Sequence, residues 1–86
     1  MIVPTSVTQL RNLGPRSSEW LQAAGITTIE KLREVGAAGA YSLVRSQQPK
    51  ASLNLLWGLA AGLEDRDWRE LTESQKRSLL REVEDD

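Results

Sequence analysis

The sequence predicts an all-α fold, a compact bundle of five to six short helices, and three patterns carry that prediction. Apolar residues recur at three- and four-residue intervals, as in Ala37, Ala40, Tyr41 and Val44. Residues suited to helix ends punctuate those segments: Gly14-Pro15 and Thr72-Glu73-Ser74-Gln75 at starts, Gly25 and Gly36 at stops. The β-branched residues never alternate over the length of a strand. With 86 residues there is room for one core, so residues 1–86 are read as a single domain.

Taken in order, Thr5 or Ser6 can cap a short first helix, Val7 to Arg11, ending near Asn12. Pro15 suits the first position of the next helix, because its missing N–H would have had no intrahelical partner there. That helix continues from Arg16 to Ala24, carries Trp20, Leu21 and Ala24 on one side, and meets Gly25 just past its end. Thr27 or Thr28 should cap the following helix, and Thr27 with Glu30 has capping-box spacing. Ile29, Leu32 and Val35 form its buried stripe, and Gly36 stops it. The helix that starts at Ala37 ends near Gln48-Pro49.

From Ser52 the pattern changes. Leu53, Leu55, Leu56, Trp57, Leu59, Ala60 and Leu63 cover most of a helix circumference over residues 52–63, the mark of a helix enclosed by others. Asn54, Gly58 and Gly62 recur every four residues along one line of it. A glycine inside a helix costs about 0.5–1 kcal/mol relative to alanine, so this line is expected to receive a closely packed neighbour; a functional groove is the other reading. Asp65 to Leu71 reads as a tight turn with a short helical stretch that buries Trp68. Thr72 to Gln75 then opens a terminal helix over residues 72–84, with Leu79, Leu80 and Val83 inward and Glu73 and Arg77 spaced to pair. Glu82, Glu84, Asp85 and Asp86 oppose the dipole at its end, so fraying is expected there.

Composition narrows the function. Hydrophobic residues make up 40% and charged residues 27%, ordinary for a soluble globular domain. Cysteine and histidine are both absent, which removes disulfides, thiolate zinc sites, cysteine nucleophiles and every Ser-His-Asp arrangement. Ser17 and Ser18 have no base nearby to activate a hydroxyl. No enzyme, cofactor or small-molecule ligand is therefore expected. The longest uncharged apolar stretch, Leu55 to Leu63, is far short of a membrane span, and Met1 to Thr5 lacks the basic and apolar regions of a signal peptide, so the expected location is cytoplasmic. Glu64, Asp65 and Asp67 superficially suggest a cation site, but no glycine-centred calcium loop accompanies them, so capping and surface roles are expected and no metal.

The net charge of −1 hides an asymmetry. Residues 1–50 carry six basic groups against three acidic ones, +3, and residues 51–86 five against nine, −4. The basic half contains the stretch Leu10-Arg11-Asn12-Leu13-Gly14-Pro15-Arg16-Ser17-Ser18, followed by Gly25-Ile26. This resembles the helix-hairpin-helix unit of DNA repair and recombination proteins, here about residues 7–36, with Asn12 where that motif usually has its first glycine. Asparagine tolerates left-handed backbone, so the turn can form. A helix start suits a phosphate, since several N–H groups lack partners there and the dipole adds partial positive charge. Asn12, Leu13 and Gly14 would offer backbone amides, with Arg16, Ser17 and Arg11 adding side-chain contacts. Lys50 has two readings of equal weight, a further phosphate contact or a decoration of the turn before the central helix. Trp20, Trp57 and Trp68 suit either the core of a chain without phenylalanine or stacking on unpaired bases; the core is the expectation.

The resemblance extends further. Leu13-Gly14-Pro15-Arg16-Ser17, Gly25-Ile26, Leu32, Gly36-Ala37, Ala40-Tyr41, Pro49-Lys50-Ala51-Ser52-Leu53-Asn54-Leu55-Leu56-Trp57 and Arg66-Asp67-Trp68 together are similar to the C-terminal domain of the TfoX/Sxy family, bacterial regulators of natural competence. The match runs over roughly residues 8–83, nearly the whole chain; the resemblance implies a domain that follows a separate N-terminal one in full-length members, and a stand-alone version is the expectation here. It implies a compact helical domain and a link to transcriptional control of DNA uptake. The expected function is a non-enzymatic module that associates with DNA phosphates without reading sequence. The rival is an adaptor whose acidic half, residues 51–86, binds a protein partner in transcription with no DNA contact.

Overall fold

The computed structural model describes residues 6–10 and 12–84. Five α-helices follow one another: α1 (Pro15–Ala23), α2 (Ile29–Val35), α3 (Ala37–Gln47), α4 (Leu53–Leu63) and α5 (Glu73–Glu84). Single 3-10 turns at Val7–Gln9 and Trp68–Glu70 complete the order. Among the described residues there is no strand; Ser6 and Thr28 form an isolated bridge, beside which the Val7 N–H donates to the Thr27 carbonyl at 3.1 Å. No helix among them is long and apolar enough to cross a membrane.

The all-α expectation holds, and most helix ends fall where their chemistry puts them. Gly14 is the N-cap of α1 and Pro15 its first residue. At the other end the Gly25 N–H donates to the Gln22 carbonyl (3.0 Å) and the Ile26 N–H to the Leu21 carbonyl (2.9 Å), with Gly25 at φ 89°. These are the paired bonds of a Schellman cap, and its apolar seal is the burial of Leu21 against Ile26. The end of α4 repeats the device with Asp65 at φ 55°, Asp65 bonding to Gly62 and Arg66 to Ala61. The capping box at α5 forms in both directions: Thr72 Oγ1 accepts from the Gln75 N–H at 3.1 Å, and Gln75 Oε1 from the Thr72 N–H at 2.9 Å.

Three expectations are corrected, and the cap of α2 is narrowed to one of its two candidates. The first helix is one 3-10 turn, capped by Ser6 Oγ on the Thr8 N–H; its three-residue repeat buries Val7 and Leu10 together, and Leu10 leaves it extended. The cap of α2 is Thr28, accepting from the Lys31 N–H at 3.1 Å; the Thr27 carbonyl is taken by the Val7 N–H, so the first helical acceptor is the Thr28 carbonyl, which receives the Leu32 N–H at 3.0 Å. Glu73 and Arg77 do not reach ion-pair distance; both are exposed, where water competes for each charge. Trp68 is 39% exposed, since its short turn can bury one side only and Leu71 takes that place.

The core forms around α4, whose Leu55, Leu56, Trp57, Leu59 and Ala61 are all buried. Helix α3 crosses α4 and α5 and also touches α2 and α1. Its Tyr41 is enclosed and donates its hydroxyl to the Ala51 carbonyl at 3.3 Å, fixing the approach to α4. Leu79, Leu80 and Val83 of α5 pack against this core half-buried, and Lys76 Nζ stands 5.6 Å from the centre of the Trp57 ring, within cation–π range.

The Val7–Gln9 turn and the approach to α1 at residues 12–14, together called the N-terminal hairpin, are fastened to this core by Asn12. Its backbone is left-handed, φ 76°, which turns the chain into α1. Its side chain donates from Nδ2 to the Arg66 carbonyl at 2.7 Å and accepts at Oδ1 from the Trp68 N–H at 3.4 Å. Beneath it lies Gly58, where an added Cβ would stand 3.5 Å from the Asn12 carbonyl oxygen and 3.6 Å from its Cβ. The small-residue line of α4 thus does receive a neighbour, at ordinary van der Waals distance.

Asn12→Gly keeps the left-handed turn and loses the side-chain bonds, so it should cost about 1–2 kcal/mol; Asn12→Ala should cost about 1 kcal/mol more through backbone strain. Urea denaturation of both variants checks the order, and a glycine variant as stable as wild type would remove the clamp from the account. Gly58→Ala should be neutral or stabilise by up to about 1 kcal/mol, since the methyl meets only ordinary contacts and the helix gains propensity. Gly58→Leu should instead lower the melting temperature by displacing the Asn12 turn.

Candidate functional site

Two helix starts and two aromatic rings meet at a cleft of about 300 Å³. From the hairpin come Asn12 and Leu13; from α1 come Ser17 and Trp20, one turn apart and therefore on one face. From the approach to α4 come Lys50 and Ser52, and from α4 itself Asn54, Leu55 and Gly58. Trp68 closes the side nearest the Asn12 clamp.

The expected site residues are placed unevenly. Asn12, Leu13 and Ser17 share this cleft. Gly14 is exposed and belongs with Leu13 to a second cleft of about 370 Å³, which also carries Glu19, a residue that repels anions. Arg16 is exposed and lines neither cleft. Arg11 lies outside the described residues. The amides are divided as well. The Leu13 N–H donates to the Leu10 carbonyl at 3.4 Å, and the Asn12 side chain is committed to Arg66 and Trp68. The first i→i−4 bond of α1 runs from the Ser18 N–H to the Gly14 carbonyl at 3.1 Å. The amides of Arg16 and Ser17 stand before it, in the first turn where no intrahelical acceptor exists. The Ser18 hydroxyl is buried and bonded back to the Gly14 carbonyl at 3.2 Å, so it is a brace of the turn.

The start of α4 offers a second set of such amides. Ser52 is its N-cap in extended conformation, and the Ser52 side chain makes no capping bond. Lys50 stands two residues before it, exposed. Neither Lys50 nor Arg16 forms an ion pair with a described residue. The nearby cations of the acidic half are already engaged. Arg66 pairs with Glu64 at 3.3 Å and Glu70 at 3.9 Å, and Arg69 with Asp67 at 3.0 Å. The bond to Asp67 and its negative charge hold the Arg69 guanidinium above its ordinary pKa. Asp67 also caps the Trp68–Glu70 turn in a reciprocal box with Glu70, the capping role read from the sequence.

Sequence reasoning did not place Ser52, Asn54 and Trp68 in the site. The signal for Asn54 was present, since it shares a line with Gly58, but nothing local shows that Trp68 folds back onto the hairpin 56 residues away.

The chain matches the family model of the TfoX C-terminal domain over residues 3–83. It is 30% identical over 74 residues to the DNA transformation protein TfoX of Haemophilus influenzae, covering 86% of this chain and 34% of that protein. The chain therefore spans about a third of that relative's length. An uncharacterized protein from Listeria monocytogenes, solved in a triclinic form, superposes with a TM-score of 0.82 at 25% identity, over 88% of this chain and 86% of that one. A Listeria monocytogenes protein of unknown function in a tetragonal form gives 0.82 at 24% identity, over 91% and 96%, and shares the fold. Matched along nearly its whole length by one family model, the chain belongs to the TfoX C-terminal domain family.

Proposed function

We propose that this domain is a non-enzymatic nucleic-acid-associating module of a competence regulator, holding DNA phosphates at the start of α1 and at Lys50. The observation that carries the reading is the meeting of Ser17 and Lys50 at one cleft, where no acid side chain stands and where the first turns of α1 and α4 both open. Oriented N–H groups and an uncompensated lysine suit an anion held by position. The Haemophilus influenzae relative is named for DNA transformation, which agrees in subject. Such contacts fix a strand in place without selecting sequence, so binding should be weak and strongly salt-dependent.

An amide chemical-shift titration with a short duplex, at about 50 mM and 200 mM salt, tests this. Shifts should gather at Leu13, Gly14, Arg16, Ser17 and Lys50 and fade at the higher salt. Arg16→Glu and Lys50→Glu should each weaken binding several-fold and flatten its salt dependence. A spectrum unmoved by duplex at low salt overturns the reading. The search would then move to a protein partner of residues 51–86, whose loss on deleting residues 82–86 would locate its contact.

A further inference from the structure

We propose that the Lys50 cleft seats one unpaired nucleotide of a single DNA strand, with the base laid against Trp20 and Trp68 and the phosphate at Lys50. This deepens the nucleic-acid reading and rests on it. Trp57, the third tryptophan, is enclosed in the core beside Lys76. Trp20 and Trp68 differ from it: one is half-buried, the other 39% exposed, and both wall the same cleft. Neither ring is stacked on another aromatic ring or covered by a cation among the described residues. Aromatic faces left open beside a lysine are what a base with its phosphate requires, because every base has a π-face and every link carries a negative charge.

Size and polarity agree. A cleft of about 300 Å³ lies at the small end of ligand cavities and suits a single nucleotide. Asn54, exposed at the cleft, carries both a donor and an acceptor for a base edge. Ser52 leaves the start of α4 without a side-chain cap; the Leu55 N–H turns back to the Ser52 carbonyl at 3.0 Å, which leaves the amides of Leu53 and Asn54 to face an anion beside Lys50. A paired base cannot use this site, since its faces are covered within the duplex. The cleft therefore separates strands from blunt duplexes, whereas Arg16, outside it, meets either.

The test follows the three indole N–H signals of the wild-type domain during titration with oligothymidylate of about ten nucleotides. The Trp20 and Trp68 signals should move and the Trp57 signal should stay. Trp68→Ala should weaken strand binding about tenfold or more and leave blunt-duplex binding within about twofold, with Trp68→Phe restoring most of the loss. A strand of abasic sites, which keeps its phosphates, should bind no better to wild type than to Trp68→Ala. The wild-type indole signals need no variant to fold. Strand binding with the Trp20 and Trp68 signals unmoved, or equal loss of strand and duplex in Trp68→Ala, overturns the proposal while duplex binding through Arg16 leaves the phosphate reading standing. Thymidine monophosphate bound as tightly as the strand also overturns it, in favour of a free nucleotide. Absence of both strand and duplex binding overturns this proposal and the phosphate reading together.

Discussion

The hydrogen bonds of one asparagine side chain join the two ends of the domain. Asn12 turns the backbone into α1 and, through a single amide group, satisfies a carbonyl and an N–H of the connection that follows α4. Glycine could make the turn but could not make the bonds; alanine could make the turn only under strain and could not make the bonds either. The carbonyl that Asn12 reaches belongs to Arg66, placed by the Schellman cap of α4, and the N–H belongs to Trp68, in the turn capped by Asp67. Each cap positions a backbone group that the clamp then uses. Without that chain of local geometry, the walls of the cleft would belong to separate parts of the surface.

Charge follows the same division. On the α4–α5 side, arginines and acids neutralise one another at short range: Arg66 with Glu64 and Glu70, Arg69 with Asp67. On the hairpin side, Arg16 and Lys50 keep their charges without acid partners among the described residues. The excess of +3 in residues 1–50 is therefore more than a property of composition, because the fold sets an unpaired member of it beside two helix starts. Glu19 marks the limit of that region on the far side of Leu13.

Helices were legible from the sequence wherever an end signal and an apolar period agreed. Gly14-Pro15, Gly25, Gly36 and the Thr72–Gln75 box all stand at the ends they announce. The misreadings share a cause. Val7 and Leu10 fit a helical period, but they anchor a single 3-10 turn that follows at once on the bridge of Ser6 with Thr28 and gives way to extended backbone at Leu10. Thr27 has the better spacing for a cap, yet the tertiary pairing with Val7 takes its backbone. Trp68 looks like core by size, and only the three-dimensional placement of Leu71 shows which neighbour is enclosed. The site was half legible: Leu13, Ser17 and Lys50 could be named from local chemistry, whereas their union with Asn54 and Trp68 depends on contacts spanning most of the chain.

The reach of Asn12, 54 residues to Arg66 and 56 to Trp68, makes its bonds among the least local in the fold. Closing so long a loop costs chain entropy before any contact returns it, whereas α3 and α4 are neighbours in sequence and can pair early. Contacts that form after the barrier are the ones whose loss speeds unfolding while leaving the folding rate nearly unchanged. An opening of the Val7–Gln9 turn and α1 away from α4 would run along a seam that passes through the cleft. An occupant spanning Trp20 on one side and Trp68 on the other would close that seam a second time, so occupancy and slow hydrogen exchange in α1 are two readings of one equilibrium.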